Sequence, residues 1–319
     1  MSTLPYWSPI EKPGYIGAQT RWVDIGEGTR AFLGIPERGA PPYRAMILGH
    51  ERYGLVLDTL DQVAKFAAYG YVCLAPDMAS RFDGDKEALN RGDIGGGWNT
   101  DTVKLYMAQS YDFLTTLPEV DSQAISAIGL CASGAWPWIL NSVRPDLAAC
   151  ICYYGGGAYN EELMARVTAP TLYVYGEKDH GAPIEGVFAF RDEMERHHQN
   201  CEVRLEADMP HGYLNDTMPG RYRQKEAAEA WDRIMEFLDR VHTGYFAADQ
   251  VHVQLEVDFA VDYDFDKNVR YGAAGLPEPS PRRLAEIKQS VAEGRAPRHD
   301  LEEFFALYPD HFAELRLLD

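Results

Sequence analysis

The chain has 319 residues, with 30 Lys and Arg against 49 Asp and Glu, so its formal net charge is −19. Nucleic acid and anionic membrane surfaces carry the same sign of charge, and we expect neither as a partner. A small anionic substrate is still allowed, because individual arginines act at short range. Apolar residues make up 46% of the chain, so a sizeable core is possible, and the length allows one large domain with an appendage or two small domains.

The cysteines and the N-terminal segment bear on the cellular compartment. Five cysteines are an odd number in a long chain, which argues against a disulfide framework and favours a reducing compartment. The first residues lack a basic start followed by an apolar stretch, and no run of 18 apolar residues occurs. We therefore expect a cytoplasmic protein without a signal peptide or a membrane span.

Apolar runs typical of strands alternate with helical patterns between residues 30 and 241. The predicted strands are residues 30–35, 45–49, 71–76, 125–130, 149–154, 171–175 and 202–205. The predicted helices are residues 59–69, 102–116, 135–143, 185–198 and 224–241. Several strands are almost wholly apolar, as expected of strands buried on both faces. The alternation predicts an α/β fold with a mainly parallel sheet and helices on both faces.

The pattern changes near residue 243. Residues 1–242 form the predicted α/β domain, with residues 1–24 as an N-terminal extension. In residues 251–265 every odd position is apolar, which predicts an amphipathic strand. At ~3.3 Å per residue it would span roughly 50 Å, so it bends, divides or reaches another subunit. Two helices follow, and we expect residues 243–319 to be a C-terminal extension and a candidate arm for a homo-oligomer.

The strongest motif is Gly-Leu-Cys-Ala-Ser-Gly at residues 129–134, between an apolar strand and a helical pattern. A nucleophile on a tight strand-to-helix turn needs small residues two positions before and after it, as Gly129 and Ser133 are around Cys131. The helix N-terminus favours a thiolate, and the N–H of Ala132 would face a developing oxyanion. Taken alone, Cys131 is equally well interpreted as an ordinary buried cysteine.

Two further residues extend this motif. Asp179 follows the apolar strand at residues 171–175, and His211 follows the next strand, at residues 202–205. An imidazole beside a thiol can take its proton, and a carboxylate on the other ring nitrogen fixes the tautomer. The chain order nucleophile, acid, histidine is the order of the α/β-hydrolases. Either residue alone would be interpreted as structural, whereas all three in this order predict a catalytic triad.

The chain resembles the dienelactone hydrolase (carboxymethylenebutenolidase) family of the α/β-hydrolase superfamily over roughly residues 25–242. The matching segments are GLCASG at 129–134, YGEKDHGAP at 175–183 and PHGY at 210–213. Weaker matches are LGHERYGL at 48–55, APDMASRF at 75–82 and AAEAWDRIMEFL at 227–238. The resemblance implies an α/β-hydrolase fold, with Cys131 as nucleophile, His211 as base and Asp179 as the acid that orients the histidine.

The resemblance also assigns residues around the nucleophile. Glu51 falls on the glutamate that accepts the thiol proton when substrate binds, and the loop that follows, with the N–H of Arg52, would complete the oxyanion hole. Arg81 falls on an arginine that binds the substrate carboxylate. A second arginine of the family is replaced here by Asn215, a departure that bears on the substrate.

Four aromatic residues are candidates for the substrate pocket: Tyr53, Trp98, Trp136 and Tyr213. Any one of them is equally at home in a core. A calcium loop beginning at Asp262 is excluded, because Lys267 stands where glycine is needed and Ala273 where the bidentate glutamate should be. We expect neither a metal nor a cofactor.

The leading functional prediction is a cysteine-dependent hydrolase of an ester or lactone. Its substrate would be a small molecule, a conjugated or carboxylated intermediate of aromatic-compound breakdown. The first alternative is a cis–trans isomerase of a conjugated dienoate, since a thiolate adds to a double bond and departs easily. The second is a non-catalytic binding or assembly protein on the same fold, in which the C-terminal extension is the functional part.

Overall fold

The computed structural model describes residues 17–156, 161–179, 181, 184–218, 221–247 and 253–257. In this part of the chain nine strands form one sheet. They are β1 Ala18–Asp24, β2 Arg30–Pro36, β3 Tyr43–Gly49, β4 Val72–Pro76, β5 Val120–Leu130, β6 Cys150–Tyr153, β7 Thr171–Lys178, β8 Cys201–Pro210 and β9 Val253–Val257. The helices are α1 Leu57–Ala68, α2 Lys86–Arg91, α3 Thr100–Thr115, α4 Trp136–Asn141, α5 Glu161–Met164, α6 Ile184–Arg196 and α7 Gln224–His242.

The order of strands across the sheet is β1-β2-β4-β3-β5-β6-β7-β8-β9. Strands β3 to β9 run parallel to one another, whereas β2 pairs antiparallel with both β1 and β4. The prediction of an α/β fold with a mainly parallel sheet is confirmed. Because the carboxyl ends of parallel strands meet at one edge, residues that follow β3, β5, β6, β7 and β8 are brought together.

Burial on both faces explains why the central strands are apolar. Every residue of β4 and of β6 is buried, and two hydrophobic clusters pack on the two faces of the sheet. Helix α7 covers one face with apolar residues spaced three or four apart, including Trp231, Ile234 and Leu238. Within the described residues, no helix is long and apolar enough to cross a membrane.

Two strands of the sheet, β1 and β9, lie in segments that the sequence predicted to be extensions. Strand β1 lies within residues 1–24, which were expected to be an extension, and it pairs with β2 along its whole length. Strand β9 lies after the predicted domain boundary near residue 243, and it pairs with β8 as part of the same sheet. The rest of the predicted strand at 251–265, and the two helices after it, lie outside the described residues.

Candidate active site

Five neighbouring strands each end directly before a residue of the candidate site. Those residues are His50 after β3, Cys131 after β5, Tyr154 after β6, Asp179 after β7 and His211 after β8. All five strands are parallel, so these positions lie along one edge of the sheet. The carboxyl edge of an open α/β sheet is where such folds place their ligands.

Cys131 occupies a strained turn. Its φ angle is 55°, in the left-handed region that residues with a side chain rarely adopt. A side chain at Gly129 would lie 2.0 Å from the carbonyl oxygen of Ser133, so only glycine fits there. The Ser133 hydroxyl closes the turn through hydrogen bonds with the N–H and carbonyl of Leu130, at 2.8 and 2.9 Å. Ser133 therefore supports the turn, and Cys131 is at its tip.

The segment behind Cys131 differs from the predicted helix at 135–143. A single 3₁₀ turn covers Cys131–Ser133, and α4 then has six residues. So short a helix has a small dipole, and the dipole argument for a thiolate is correspondingly weak. Any stabilisation of a thiolate must come mainly from its neighbouring side chain.

That neighbour is His211. Its Nε2 lies 3.0 Å from the Cys131 Sγ, and its Nδ1 lies 3.0 and 3.1 Å from the two carboxylate oxygens of Asp179. Asp179 is 1% exposed and also accepts the N–H of Gly181 at 2.7 Å. The three residues, 131, 179 and 211, thus form one connected chain of polar atoms.

The electrostatics around His211 favour a charged imidazole. Burial opposes the positive charge of His211, but the Asp179 carboxylate and the Cys131 sulfur outweigh it and raise the pKa of His211 well above its usual range. A proton on the imidazole lies between the Cys131 sulfur on one side and the Asp179 carboxylate on the other. The arrangement is suited to holding a thiolate–imidazolium pair.

Glu51 is a buried carboxyl beside this pair, 2% exposed. Its Oε2 accepts a hydrogen bond from Asn215 at 2.9 Å, and its Oε1 accepts one from the Tyr154 hydroxyl at 3.3 Å. Burial raises the pKa of Glu51, against the opposing effects of Asn215, His211, Arg221 and Tyr154. Asn215, noted in the sequence as a departure from the family pattern, is therefore a direct partner of Glu51.

Tyr154 is a site residue that the sequence did not single out. It is completely buried, has a φ angle of 37°, and packs its ring edge-on against His211 with centroids 5.4 Å apart. Non-glycine residues with positive φ cluster at functional sites. The sequence did contain a hint of this role, because Tyr154 is the last residue of the predicted apolar strand at 149–154 and is followed by glycines. The strain at its backbone, however, cannot be inferred from residue types.

His50 and two tryptophans form an aromatic cluster beside the turn that carries Cys131. The His50 ring contacts Trp136 and Trp98 edge-on, with centroids 5.1 and 6.2 Å apart, and Trp98 contacts Phe82 at 5.7 Å. Trp136 and His50 are buried, whereas Trp98 is half-buried. A side chain at Gly96 would lie 2.1 Å from the Trp98 indole, so the indole folds back over this glycine. Two of the four predicted pocket aromatics, Trp98 and Trp136, thus pack against the same histidine.

The other two predicted pocket aromatics are core residues. Tyr53 packs with Val56 and Met218 in a small buried cluster. Tyr213 is fully buried, and its hydroxyl donates to Glu206. Both follow site residues closely in sequence, but their rings contribute to the packing behind the site.

The predicted oxyanion-hole residues lie in the turn after β5 and in the loop after β3. Ala132 is exposed directly after Cys131, and Arg52 follows Glu51 in the loop after β3. The Arg52 side chain donates to the carbonyl of Gly92 at 3.2 Å, so its guanidinium is directed at the neighbouring loop. A role in the oxyanion hole would belong to its backbone N–H and remains a prediction.

The contacts of the Arg81 side chain are with Glu27 and Tyr106. Its guanidinium donates to the carbonyl of Glu27, lies 3.5 Å from the carboxylate of that residue, and is 5.8 Å from the centre of the Tyr106 ring. These contacts anchor it to the turn between β1 and β2. With a side chain 39% exposed, it can exchange this partner for a substrate carboxylate, which is still a prediction.

The fold and this edge arrangement define a class, the α/β-hydrolases. The family model of the dienelactone hydrolase family matches residues 29–242. A Saccharolobus solfataricus protein named "Putative carboxymethylenebutenolidase" is 27% identical over 256 residues, covering 68% of this chain and 95% of that protein. A Yersinia pestis protein of the same name is 21% identical, covering 69% of this chain and 89% of its own length.

Solved structures show the same fold. A dienelactone hydrolase-like promiscuous phosphotriesterase from metagenomic libraries aligns with a TM-score of 0.61 at 22% identity, covering 70% of this chain and 98% of that one. The protein described here belongs to the dienelactone hydrolase family, as the resemblance in its motifs predicted. It is therefore an ester or lactone hydrolase of the dienelactone hydrolase type, and the prediction of a non-catalytic protein is set aside.

Proposed function

We propose that the protein is a cysteine-dependent hydrolase, in which Cys131 is the nucleophile, His211 the base and Asp179 the residue that orients His211. The observation that carries the proposal is the continuous contact from the Cys131 Sγ through both nitrogens of His211 to Asp179. Nucleophile, base and orienting acid within hydrogen-bond reach are the signature of covalent catalysis.

The proposed reaction has two steps. The Cys131 thiolate attacks the substrate carbonyl, and the N–H groups of Ala132 and Arg52 hold the oxyanion. The tetrahedral intermediate then collapses and expels the alkoxide, which takes a proton from His211. The acyl group remains on Cys131 as a thioester. In the second step His211 removes a proton from water, the hydroxide attacks the thioester, and the acid departs as the thiolate is restored.

The surroundings of the nucleophile support a planar substrate. The half-buried Trp98 offers a flat surface that suits a conjugated or aromatic ring, and the buried His50 packs edge-on against it. Conjugated and carboxylated intermediates of aromatic-compound breakdown fit this description, and Arg81 is the proposed partner of a substrate carboxylate. We further propose a cytoplasmic enzyme that needs no cofactor, with residues 243–319 as the candidate arm for a homo-oligomer.

The sequence left an isomerase that uses the same cysteine as the first alternative, and one experiment tests the proposed hydrolysis against it. A hydrolase should give a burst of p-nitrophenol from p-nitrophenyl acetate, an acetyl group on Cys131 in the intact mass, and heavy oxygen in its product in H₂¹⁸O. An isomerase attacks a carbon–carbon double bond and has no use for water. Conversion of a cis-dienoate without oxygen incorporation, together with no acylated enzyme, would rule out the hydrolase.

Cys131 is expected to react with iodoacetamide before the other four cysteines. Burial raises the pKa of Cys73, Cys150, Cys152 and Cys201, which keeps those thiols protonated and inaccessible. Cys131 is partly exposed, and its Sγ lies 3.0 Å from the His211 Nε2. Peptide mass spectrometry after brief labelling at pH 7 reports the order of reaction.

The same labelling reports on the His211 contact. An ordinary thiol with a pKa near 8.5 is only about 3% ionised at pH 7, so the His211→Ala variant should alkylate Cys131 at least about tenfold more slowly. Labelling of Cys73 or Cys201 ahead of Cys131 in the wild type would contradict the assignment of the nucleophile.

Glu51→Gln is expected to stabilise the protein above neutral pH. Since the folded pKa of Glu51 is raised, its contribution to stability is fully present below the unfolded value near 4.3 and is lost as pH rises through the folded value. Removing the charge should then raise Tm at pH 8 by about 2–4 °C, for about 1 kcal/mol, and by much less at pH 4.5.

The control for this measurement is Glu236→Gln, the same change at an exposed position on α7. Thermal unfolding of both variants at the two pH values is the test. A Tm difference for Glu51→Gln that does not grow with pH would show that ionisation of the buried Glu51 carboxyl does not lower the stability of the protein.

A further inference from the structure

His50 is a completely buried histidine that the proposed reaction does not use. It is the first residue after β3, next to Glu51, and its ring lies edge-on between Trp136 and Trp98. Its Nδ1 lies 2.6 Å from the carbonyl oxygen of Glu51. Within the part of the chain that the structure describes, its Nε2 has no hydrogen-bond partner.

This contact determines the tautomer of His50. A carbonyl oxygen can only accept a hydrogen bond, so the proton of the ring must be on Nδ1. Burial lowers the pKa of His50, against the opposing effect of the Glu51 carbonyl, so the ring is neutral at neutral pH and Nε2 carries no proton. His50 is thereby a neutral donor aimed at one backbone oxygen.

Holding that oxygen also orients the next N–H. A trans peptide unit is planar, and its C=O and N–H point in opposite directions. The carbonyl of Glu51 is held by the His50 Nδ1–H and, at 3.2 Å, by the N–H of Gly54, whose φ of 79° closes the turn. The N–H of Arg52, on the other side of the same peptide, is consequently directed away from the His50 ring.

The loop that carries this peptide lies against the nucleophile turn. Gly49, the last residue of β3, pairs with Gly129 of β5, and a side chain at Gly49 would lie 2.7 Å from the Ser133 side chain. The Glu51 side chain reaches Asn215 and Tyr154, which places this loop across the carboxyl edge of the sheet. The Arg52 N–H thus belongs to a loop beside the Cys131 turn and points away from the His50 ring.

We propose that His50 is a positioning residue for the oxyanion hole: its Nδ1–H fixes the Glu51–Arg52 peptide so that the Arg52 N–H is directed at the substrate oxyanion. The inference rests on the proposed function, because an oxyanion forms only if Cys131 attacks a carbonyl. It assigns His50 no contact with the substrate and no proton transfer.

Two reactions of Cys131 separate this role from a structural one. Acylation by p-nitrophenyl acetate develops an oxyanion, whereas alkylation by iodoacetamide uses the same thiolate and develops none. His50→Leu should lower the acylation rate constant about 10–100-fold, with little change in KM and in the alkylation rate, because a missing oxyanion donor costs 10²–10³ in other enzymes. His50→Asn should recover most of the acylation rate, because its amide N–H occupies the place of Nδ1.

The controls distinguish the possible failures. His242→Leu removes a half-buried imidazole at the end of α7 and should leave both rates unchanged. If His50→Leu does not fold, His50→Asn and His50→Gln replace it, and the proposal requires the Asn variant to acylate faster than the Gln variant, whose amide lies at the Nε2 position. Equal losses in acylation and alkylation, or unchanged acylation in His50→Leu, would overturn the role of His50. A wild-type enzyme that alkylates but never acylates would instead overturn the proposed function, and the role of His50 with it.

Discussion

Cys131→Ala is expected to lower turnover of an ester or lactone by at least about 10⁴-fold while the protein remains folded, since loss of a nucleophile removes covalent catalysis altogether. The substitution removes a single sulfur from a partly exposed position. Alanine carries the same Cβ as cysteine, so the strain at φ 55° is unchanged. Hydrolysis of p-nitrophenyl acetate and circular dichroism of the same sample give the two readouts.

Cys201→Ala is the matched control, because it removes a fully buried thiol at the start of β8, away from the carboxyl edge. That variant should keep its turnover and lose only some stability from the small cavity. Cys131→Ser should retain little activity, since a serine hydroxyl in place of the thiol is far harder to ionise. Turnover near the wild-type rate in Cys131→Ala would exclude Cys131 as nucleophile.

Local constraints explain why the tight turn that carries Cys131 could be predicted from the sequence. The turn at 129–134 is determined by contacts within six residues. Any side chain at Gly129 would clash with Ser133, and the Ser133 hydroxyl forms a hydrogen bond with Leu130. The alternation of strands and helices is local in the same sense. Since parallel strands align their carboxyl ends, predicting the strands also predicted that residues 131, 179 and 211 would meet.

Contacts between distant parts of the chain could not be predicted in this way. Glu51 meets Tyr154 across 103 residues and Asn215 across 164 residues, and neither spacing nor residue type indicates these pairs. The sequence placed Tyr213 in the pocket, but its hydroxyl is directed at Glu206 in the core. The direction of a side chain depends on the rotamer and on the neighbours it packs against, which a pattern of residue types does not contain.

Strand β1 illustrates a different difficulty. Most of its residues are exposed, in the pattern AQTRWVD, so the strand has no apolar stripe to identify it. It forms because the backbone of β2 offers a free edge, to which β1 adds antiparallel along seven residue pairs. Such pairing depends on backbone groups that every residue carries and leaves little trace in the sequence.

Asp179→Asn is expected to lower turnover by about 10³–10⁴-fold without moving the histidine, as the corresponding change does in a serine protease triad. In the wild type both carboxylate oxygens lie within 3.1 Å of the His211 Nδ1, which must therefore carry a proton and leave Nε2 facing the thiol. The amide N–H of asparagine would donate to Nδ1 instead. The proton of the ring would then be on Nε2, where it can take none from Cys131.

The variant has a second consequence that can be measured separately. The Asp179 carboxylate is the largest of the influences that raise the pKa of His211, so without it burial dominates and the imidazole is neutral. The Cys131 thiolate then loses its counter-ion, and alkylation by iodoacetamide at pH 7 should slow together with acylation. This joint loss differs from His50→Leu, for which only acylation should slow.

Asp208→Asn provides the matched control, because it makes the same chemical change at an exposed position of β8, three residues before His211. Asparagine tolerates the left-handed φ of 59° found there, so turnover and alkylation should both stay at the wild-type level. If Asp179→Asn alkylated Cys131 at the wild-type rate, the thiolate would not depend on a charged His211. The aspartate would then act only by holding the ring in place, and His211→Ala should likewise leave the alkylation rate unchanged.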